Sequence, residues 1–292
     1  MNDAARPMWH GRNAVSHHAL SPEQKRDFDR FGYHFPVAAF TADKIAGYRS
    51  KLEDFEREHG GTLDGQLRNK PHLLFTWADE IVRHPAVLDA VEDVLGPDLL
   101  VWSSSFFTKD AHDPGYVSWH QDSTYWGLSE PDIVTAWIAF SDSVVENGCM
   151  RVIPGTHLMD QLPHKDTFAE NNMLTRGQEV QVDVDAGRAV NVELQPGQFS
   201  LHHVRIVHGS DPNPSDRRRI GFAVRFVPTY VRQTAGPRDS AMLVRGTDRY
   251  HHFDPEPRPQ VDFGAAEQAV HKRITEDAAR ILYRGTDKAD TA

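Results

Sequence analysis

The chain has 292 residues, 39% of them hydrophobic and 25% charged, as expected for a globular protein with a sizeable core. Its formal net charge of −10 argues against a nucleic-acid partner, and its single cysteine, Cys149, excludes an intramolecular disulfide and a cysteine-based zinc site. There is neither a signal-peptide pattern nor an apolar run of about 18–20 residues, so we expect a cytoplasmic protein that does not cross a membrane.

The first third of the chain carries helical patterns. Ser21, Pro22 and Gln24 supply an N-cap, a first-turn proline and a capping-box side chain. Apolar residues at three- and four-residue spacing predict two further helices. The three predicted helices begin near Ser21, Thr41 and His84 and end near Arg30, Gly60 and Leu95, where Gly96 is placed as a stop signal.

From Leu99 onward the pattern changes to short strands separated by turn residues. The candidates are LLVWSSSFFTK, VSWHQD, DIVTAWIAF, CMRVIPG, EVQVDV, AVNVEL, QFSLHHVRIVHG and RIGFAVRFVP. Strands of this number and length predict a mainly β fold, a sandwich or jelly roll with flanking helices. We expect one domain over residues 1–292, with a helical part at about 20–96, a jelly-roll core at about 99–230 and a C-terminal helix at about 263–283.

His120 and Asp122 lie two residues apart in VSWHQD, so a strand would place both on one face. A hydrogen-bonded structural pair explains them equally well when they are taken alone. A third residue, His208, ends a predicted strand far along the chain. Two imidazoles and one carboxylate are the ligand set of non-haem Fe(II) oxygenases, which leaves three coordination positions open.

Three histidines in LHHVRIVH compete for the role of third ligand. If the segment is one strand, His202 and His208 share a face but lie about 20 Å apart, so only one of them can reach the metal. His203 would point to the other face. We favour His208 because a turn follows it directly and Arg219 would return on the partner strand of a hairpin.

Arg219 opens the next predicted strand. Its planar guanidinium suits the carboxylate of a co-substrate, and the alternation with Gly221 and Ala223 would leave room for a ligand on the same face. The alternative is a surface charge within the basic run Arg217–Arg219.

The segments WHQD, ENGCMRVIPGTH and HGSDPNPSDRRR together resemble the phytanoyl-CoA dioxygenase family of Fe(II)/2-oxoglutarate-dependent oxygenases. The resemblance spans roughly residues 20–230 and implies a double-stranded β-helix, the cupin-like form of the jelly roll. It implies Fe(II) on the catalytic residues His120, Asp122 and His208. It also implies 2-oxoglutarate on Arg219 with help from Ser210, Trp137 bordering this co-substrate, and a less secure match at Ser105.

The resemblance further implies consumption of O₂ and oxidative decarboxylation of 2-oxoglutarate to succinate and CO₂, coupled to hydroxylation of a small-molecule substrate. We considered a related chlorinating enzyme, which Asp122 disfavours by filling the chloride position. A non-catalytic jelly-roll binding protein remains open, and a zinc hydrolase lacks a nearby general base.

The sequence does not identify the substrate, although a small polar metabolite is preferred over a long acyl-CoA. It also leaves the oligomeric state open. Several polar or aromatic residues have no assigned role at this level: Lys70, His72, Tyr125, Trp126, Asn172 and Arg176.

Overall fold

The structure is a computed structural model that describes residues 19–63, 65–236 and 238–283. Among these residues, no helix combines the length and the apolar character that crossing a bilayer requires.

Five α-helices are present in the described part of the chain: α1 (Pro22–Phe31), α2 (Ala42–Glu58), α3 (Thr76–Val82), α4 (Pro85–Leu95) and α5 (Ala265–Leu282). The capping box predicted at Ser21 and Gln24 is formed, and Gly32 ends α1 in the left-handed conformation with φ of 83°. The predicted helices are therefore confirmed to within a few residues, whereas α3 was not predicted.

The strands are β1 (Tyr33–Ala38), β2 (Leu99–Lys109), β3 (Val117–His120), β4 (Val134–Ala139), β5 (Met150–Val152), β6 (His164–Asp166), β7 (Gln178–Val180), β8 (Val190–Val192), β9 (Gln198–His203), β10 (His208–Ser210), β11 (Arg219–Pro228), β12 (Ser240–Arg245) and β13 (Asp254–Pro255). A major sheet has the order β1-β9-β4-β11-β2-β12-β13, and a minor sheet has the order β3-β10-β5-β8. The strands β6 and β7 form a separate hairpin. The mainly β, double-stranded β-helix fold predicted from the sequence is confirmed.

The largest apolar cluster lies between the helices and the outer face of the major sheet. It joins Phe28 of α1, Leu52 of α2 and Ile274 of α5 to Phe106 of β2 and Phe222 of β11. Burial of these side chains is the main stabilising term for this layer. The inner face of the same sheet is thereby left to meet the minor sheet across a cavity.

Two sequence-based expectations about strands are wrong. LHHVRIVH is not one strand: β9 ends at His203, the chain turns, and β10 begins at His208 in the other sheet. Asp122 does not lie on the strand of His120, because β3 ends at His120 and Asp122 begins a 3₁₀ turn, Asp122–Tyr125. In both segments the alternation of side-chain types continues past the last residue of the strand. The sequence pattern therefore predicts a longer strand than the backbone forms.

Candidate metal centre

His120, Asp122 and His208 are brought together by strand pairing and one turn. In the minor sheet β10 pairs antiparallel with β3, and His208 lies directly opposite His120 with a ring–ring distance of 4.1 Å. The backbone N–H of Asp122 donates to the carbonyl of Val204 at 3.0 Å, which fixes the turn beside the two imidazoles.

One atom from each of the three side chains lies within 4.8 Å of the others. The distance from Asp122 Oδ1 is 3.2 Å to His120 Nε2 and 4.0 Å to His208 Nε2. All three residues are buried. No other cluster of this kind is found among the described residues.

The hydrogen bonds of the two histidines decide which nitrogen faces the carboxylate. His120 Nδ1 lies 2.9 Å from the carbonyl of Ser118, and His208 Nδ1 lies 3.0 Å from the carbonyl of Ile206. A carbonyl oxygen only accepts, so each Nδ1 carries the hydrogen and each neutral ring presents the lone pair of Nε2 to Asp122. Two lone pairs and a carboxylate converge on one point, an arrangement that a cation stabilises.

The protonation states agree with a metal site. Burial lowers the pKa of His208 to about 4, which keeps it neutral at pH 7. Burial opposes ionisation of Asp122, but its pKa lies below the usual value, with the cation of Arg225 among the groups that lower it. A carboxylate and two neutral imidazoles fit Fe(II) with three positions left for other ligands.

A cavity of about 140 Å³ opens beside these three residues, lined by both sheets. A single water needs roughly 10–15 Å³ by the same measure, so the cavity has room for a small organic molecule. Its lining includes every residue that the sequence assigned to iron or 2-oxoglutarate: His120, Asp122, His208, Arg219, Ser210, Trp137 and Ser105.

Arg219 lies at one end of this cavity, where it is 2% exposed. Its guanidinium donates to the carbonyl of Gly148 and lies 5.5 Å from the ring of Trp137, while its Nε has no hydrogen-bond partner. No carboxylate of the described residues forms an ion pair with it. Burial lowers its pKa to about 10, so it remains a cation at neutral pH. The surface alternative for Arg219 is therefore wrong.

The space expected beside Arg219 is partly filled. A Cβ atom on Gly221 would lie 1.8 Å from the ring of Trp137, so glycine at this position admits the indole instead of a ligand. Ala223 still lines the cavity as expected. The expected hairpin is also wrong, because β10 belongs to the minor sheet and β11 to the major sheet. Arg219 reaches the cavity from the opposite wall.

The two serines have different surroundings. Ser210 Oγ accepts a hydrogen bond from Lys109 Nζ at 2.8 Å, and Lys109 is fully buried next to Arg219. Burial, with the charge of Arg219 as a second cause, lowers the pKa of Lys109 to about 6. Ser105 instead accepts from Arg225 at 3.0 Å, away from Arg219. Lys109 was missed because a lysine at the end of a strand is usually solvated.

The competing histidines are placed by the turn between β9 and β10. His202 lines the cavity with its ring 5.0 Å from that of His208, so the separation of about 20 Å expected from an extended strand is wrong. His202 is nevertheless outside the cluster of ligand atoms. His203 points elsewhere, accepting a hydrogen bond from the backbone of Arg205 and packing near His157.

Residues without an assigned role fall into two groups. Tyr125, Trp126 and Arg176 line the cavity. Lys70 and His72 bind the buried Glu256 outside it, and Asn172 donates to Ser118. Arg225 also lines the cavity and was not singled out, although it continues the alternation of Arg219, Gly221 and Ala223.

Comparison with known proteins identifies the same family that the sequence motifs resemble. The family model described as phytanoyl-CoA dioxygenase (PhyH) matches residues 28–221. A probable alpha-ketoglutarate-dependent hypophosphite dioxygenase of Stutzerimonas stutzeri is 29% identical over 226 residues, which is 69% of this chain and 78% of that protein.

Solved structures are similar as well. A non-heme monooxygenase, ThoJ in its apo form, is 38% identical with a TM-score of 0.80, over 89% of this chain and 97% of that one. CytC3 with Fe(II) and alpha-ketoglutarate is 25% identical with a TM-score of 0.62, over 84% of this chain and 97% of that one.

Proposed function

Because the chain belongs to the phytanoyl-CoA dioxygenase family of Fe(II)/2-oxoglutarate-dependent enzymes, we propose that it hydroxylates an unactivated C–H bond of a small metabolite. The reaction consumes O₂ and converts 2-oxoglutarate to succinate and CO₂. His120, Asp122 and His208 hold the iron, and Arg219 binds the distal carboxylate of 2-oxoglutarate.

The observation that carries this proposal is the convergence of the two Nε2 lone pairs and the Asp122 carboxylate at the cavity. Bound Fe(II) supplies the activation of O₂. The carbonyls of Ser118 and Ile206 hold the imidazoles in the tautomer that binds metal.

The co-substrate is oriented from the other sheet. The buried Arg219, which lacks an acidic partner among the described residues, offers a two-point contact to a carboxylate. Ser210 lies at the same end of the cavity, held by Lys109, and Trp137 walls it. Ser105 binds Arg225 and therefore belongs to a different part of the site.

A single functional domain is also part of the proposal. The continuous apolar cluster that joins α1, α2 and α5 to the major sheet supports it. A non-catalytic binding protein is not favoured, because it would not require two imidazoles and a carboxylate to converge with their lone pairs in a buried cavity. A chlorinating activity is not favoured either, because Asp122 fills the third ligand position.

The test uses the choice of third ligand. We expect His208→Ala to lose Fe(II) binding and 2-oxoglutarate-dependent succinate formation, measured by metal analysis and by succinate released in air with ascorbate. His203→Ala is the matched control, since His203 lies outside the cavity and should keep both properties. Retention of stoichiometric iron and turnover by His208→Ala would refute the assignment.

A further inference from the structure

Strand β11 presents a second buried arginine to the cavity. Arg219 and Arg225 both line it, at the two ends of the strand segment that forms the floor. Arg225 lies six positions after Arg219, so the two residues are about 20 Å apart along the extended strand. Arg225 lies on the side of the metal site, because it is in register with Thr135 and through it with His202, whose ring is 5.0 Å from that of His208.

Arg225 is not neutralised by the protein. It is 8% exposed, donates to the hydroxyl of Ser105 at 3.0 Å, and has no hydrogen-bond partner at Nε. Within the described part of the chain no carboxylate forms an ion pair with it. Arg218, which directly precedes β11, shows the usual arrangement, with Glu56 and Asp110 each within 2.7 Å. A buried guanidinium without an acid is costly unless an anion joins it.

Two residues beside Arg225 also have buried polar atoms without a hydrogen-bond partner among the described residues. In the register of the major sheet Arg225 lies opposite Thr135, and Thr135 lies opposite His202. Thr135 Oγ1 and His202 Nδ1 are buried and, like Arg225 Nε, have no hydrogen-bond partner among the described residues. Three adjacent strands therefore place unpartnered polar groups in one row of the cavity wall. Buried polar groups are normally paired, so such a row indicates a polar ligand.

The surroundings add positive charge and apolar surface. Arg225 lies 5.7 Å from the ring of Phe107 and 5.6 Å from that of Trp126. Arg68 lies 5.7 Å from Phe107 and also lines the cavity. A ligand with an anionic group on Arg225 would place its apolar part beside these two rings.

The charges of the metal, the co-substrate and the two arginines show that 2-oxoglutarate does not neutralise Arg225. Fe(II) is balanced by Asp122 and one carboxylate of 2-oxoglutarate, and Arg219 is balanced by the other. The charge of Arg225 then remains, and 2-oxoglutarate has no third acidic group to supply.

We propose that the primary substrate is a small acid whose carboxylate or phosphoryl group binds Arg225, beside Thr135 and His202, with its apolar part along Phe107 and Trp126. This inference rests on the proposed function, because it assigns Arg219 to 2-oxoglutarate.

The experiment measures binding without turnover. The protein is loaded with Mn(II) and saturating 2-oxoglutarate under anaerobic conditions, and dissociation constants are measured by calorimetry. The probes are matched series of phenylacetate, hexanoate and phenylphosphonate against phenylacetamide and hexanamide. We expect at least one acid to bind at least tenfold more tightly than its neutral counterpart, and the phosphonate tells phosphoryl from carboxylate recognition.

Arg225→Gln should remove this preference while leaving Mn(II) content and the affinity for 2-oxoglutarate within about twofold. Arg217→Gln is the control, because Arg217 is an exposed arginine paired with Asp142. The preference should survive in that variant.

Three outcomes would overturn the inference: no acid binds more tightly than its amide, the preference survives in Arg225→Gln, or Arg225→Gln weakens 2-oxoglutarate as strongly as Arg219→Gln does. The last would make Arg225 a co-substrate residue. Failure of the proposed function is separate, since it would appear as an absence of metal or 2-oxoglutarate binding in the unmodified protein.

Discussion

The two faces of β11 differ although every residue of the strand is buried. Ile220, Phe222, Val224 and Phe226 pack into the apolar cluster beneath the helices. On the other face Arg219, Ala223 and Arg225 line the cavity, and neither arginine forms an ion pair with a carboxylate of the described residues. Burial alone therefore does not distinguish a stabilising position from a functional one. The two kinds of position differ in whether the buried side chain has a packing or ion-pair partner within the described residues. Different effects of mutation are therefore expected on the two faces.

The largest effect is expected at the metal site. Asp122→Ala removes a ligand and the charge that offsets the metal, so iron-dependent succinate formation and substrate hydroxylation should be lost while the fold is kept. Assays of succinate and iron content, with circular dichroism for the fold, test this. Asp142→Ala, at an exposed aspartate, is the control. Full activity in Asp122→Ala would remove Asp122 from the ligand set, and a gain of chlorination is not expected.

The helix-facing side should respond in stability. Phe222 is fully buried against Phe106 and Phe140. Phe222→Ala should lower the free energy of unfolding by about 3–5 kcal/mol, because it removes buried apolar surface and leaves a cavity. Denaturant unfolding measures the change, and succinate formation per folded molecule should be retained. A loss below about 1 kcal/mol would show that this face is not the stabilising one.

Arg219 tests the cavity-facing side at the co-substrate. Arg219→Lys keeps one charge but loses the two-point contact, so the affinity for 2-oxoglutarate should fall by roughly tenfold, about 1.4 kcal/mol. Iron content should not change. The Michaelis constant for 2-oxoglutarate is the readout, and an unaltered value would exclude Arg219 from its binding.

A pH-dependent effect on stability concerns Lys109, the buried lysine at the edge of the same face. Its pKa is lowered to about 6 in the folded protein, against about 10.4 in an unfolded chain. Between these values the unfolded chain binds more protons, so this group makes stability rise with pH. From pH 6 to pH 8 the wild type should gain stability relative to Lys109→Met, by at most about 1.4 kcal/mol per pH unit. Parallel pH profiles in chemical unfolding would contradict this.

The sequence predicted those parts that depend on local chemistry. The capping residues of α1, the apolar run of β2 and the alternation of β11 place these elements within a residue or two of their observed bounds. The types and order of His120, Asp122 and His208 indicated a metal site without knowledge of the fold.

The rest depends on backbone pairing, which side-chain alternation does not reveal. The segment between His203 and His208 contains neither glycine nor proline, so its turn has no sequence signal. The position of β10 in the minor sheet is likewise a property of hydrogen bonding between distant strands. Arg225 could not be singled out from the sequence, because its lack of partners is visible only once the side chains are packed.

The contact between Gly221 and Trp137 constrains the order in which this site can change. A methyl group added at Gly221 would collide with the indole, since its Cβ would lie 1.8 Å from the ring. Any lineage or laboratory selection that changes both residues one at a time must therefore alter Trp137 first and Gly221 second. In the reverse order the first variant has a side chain at position 221 that collides with Trp137. The effect of a substitution at either position therefore depends on the residue at the other.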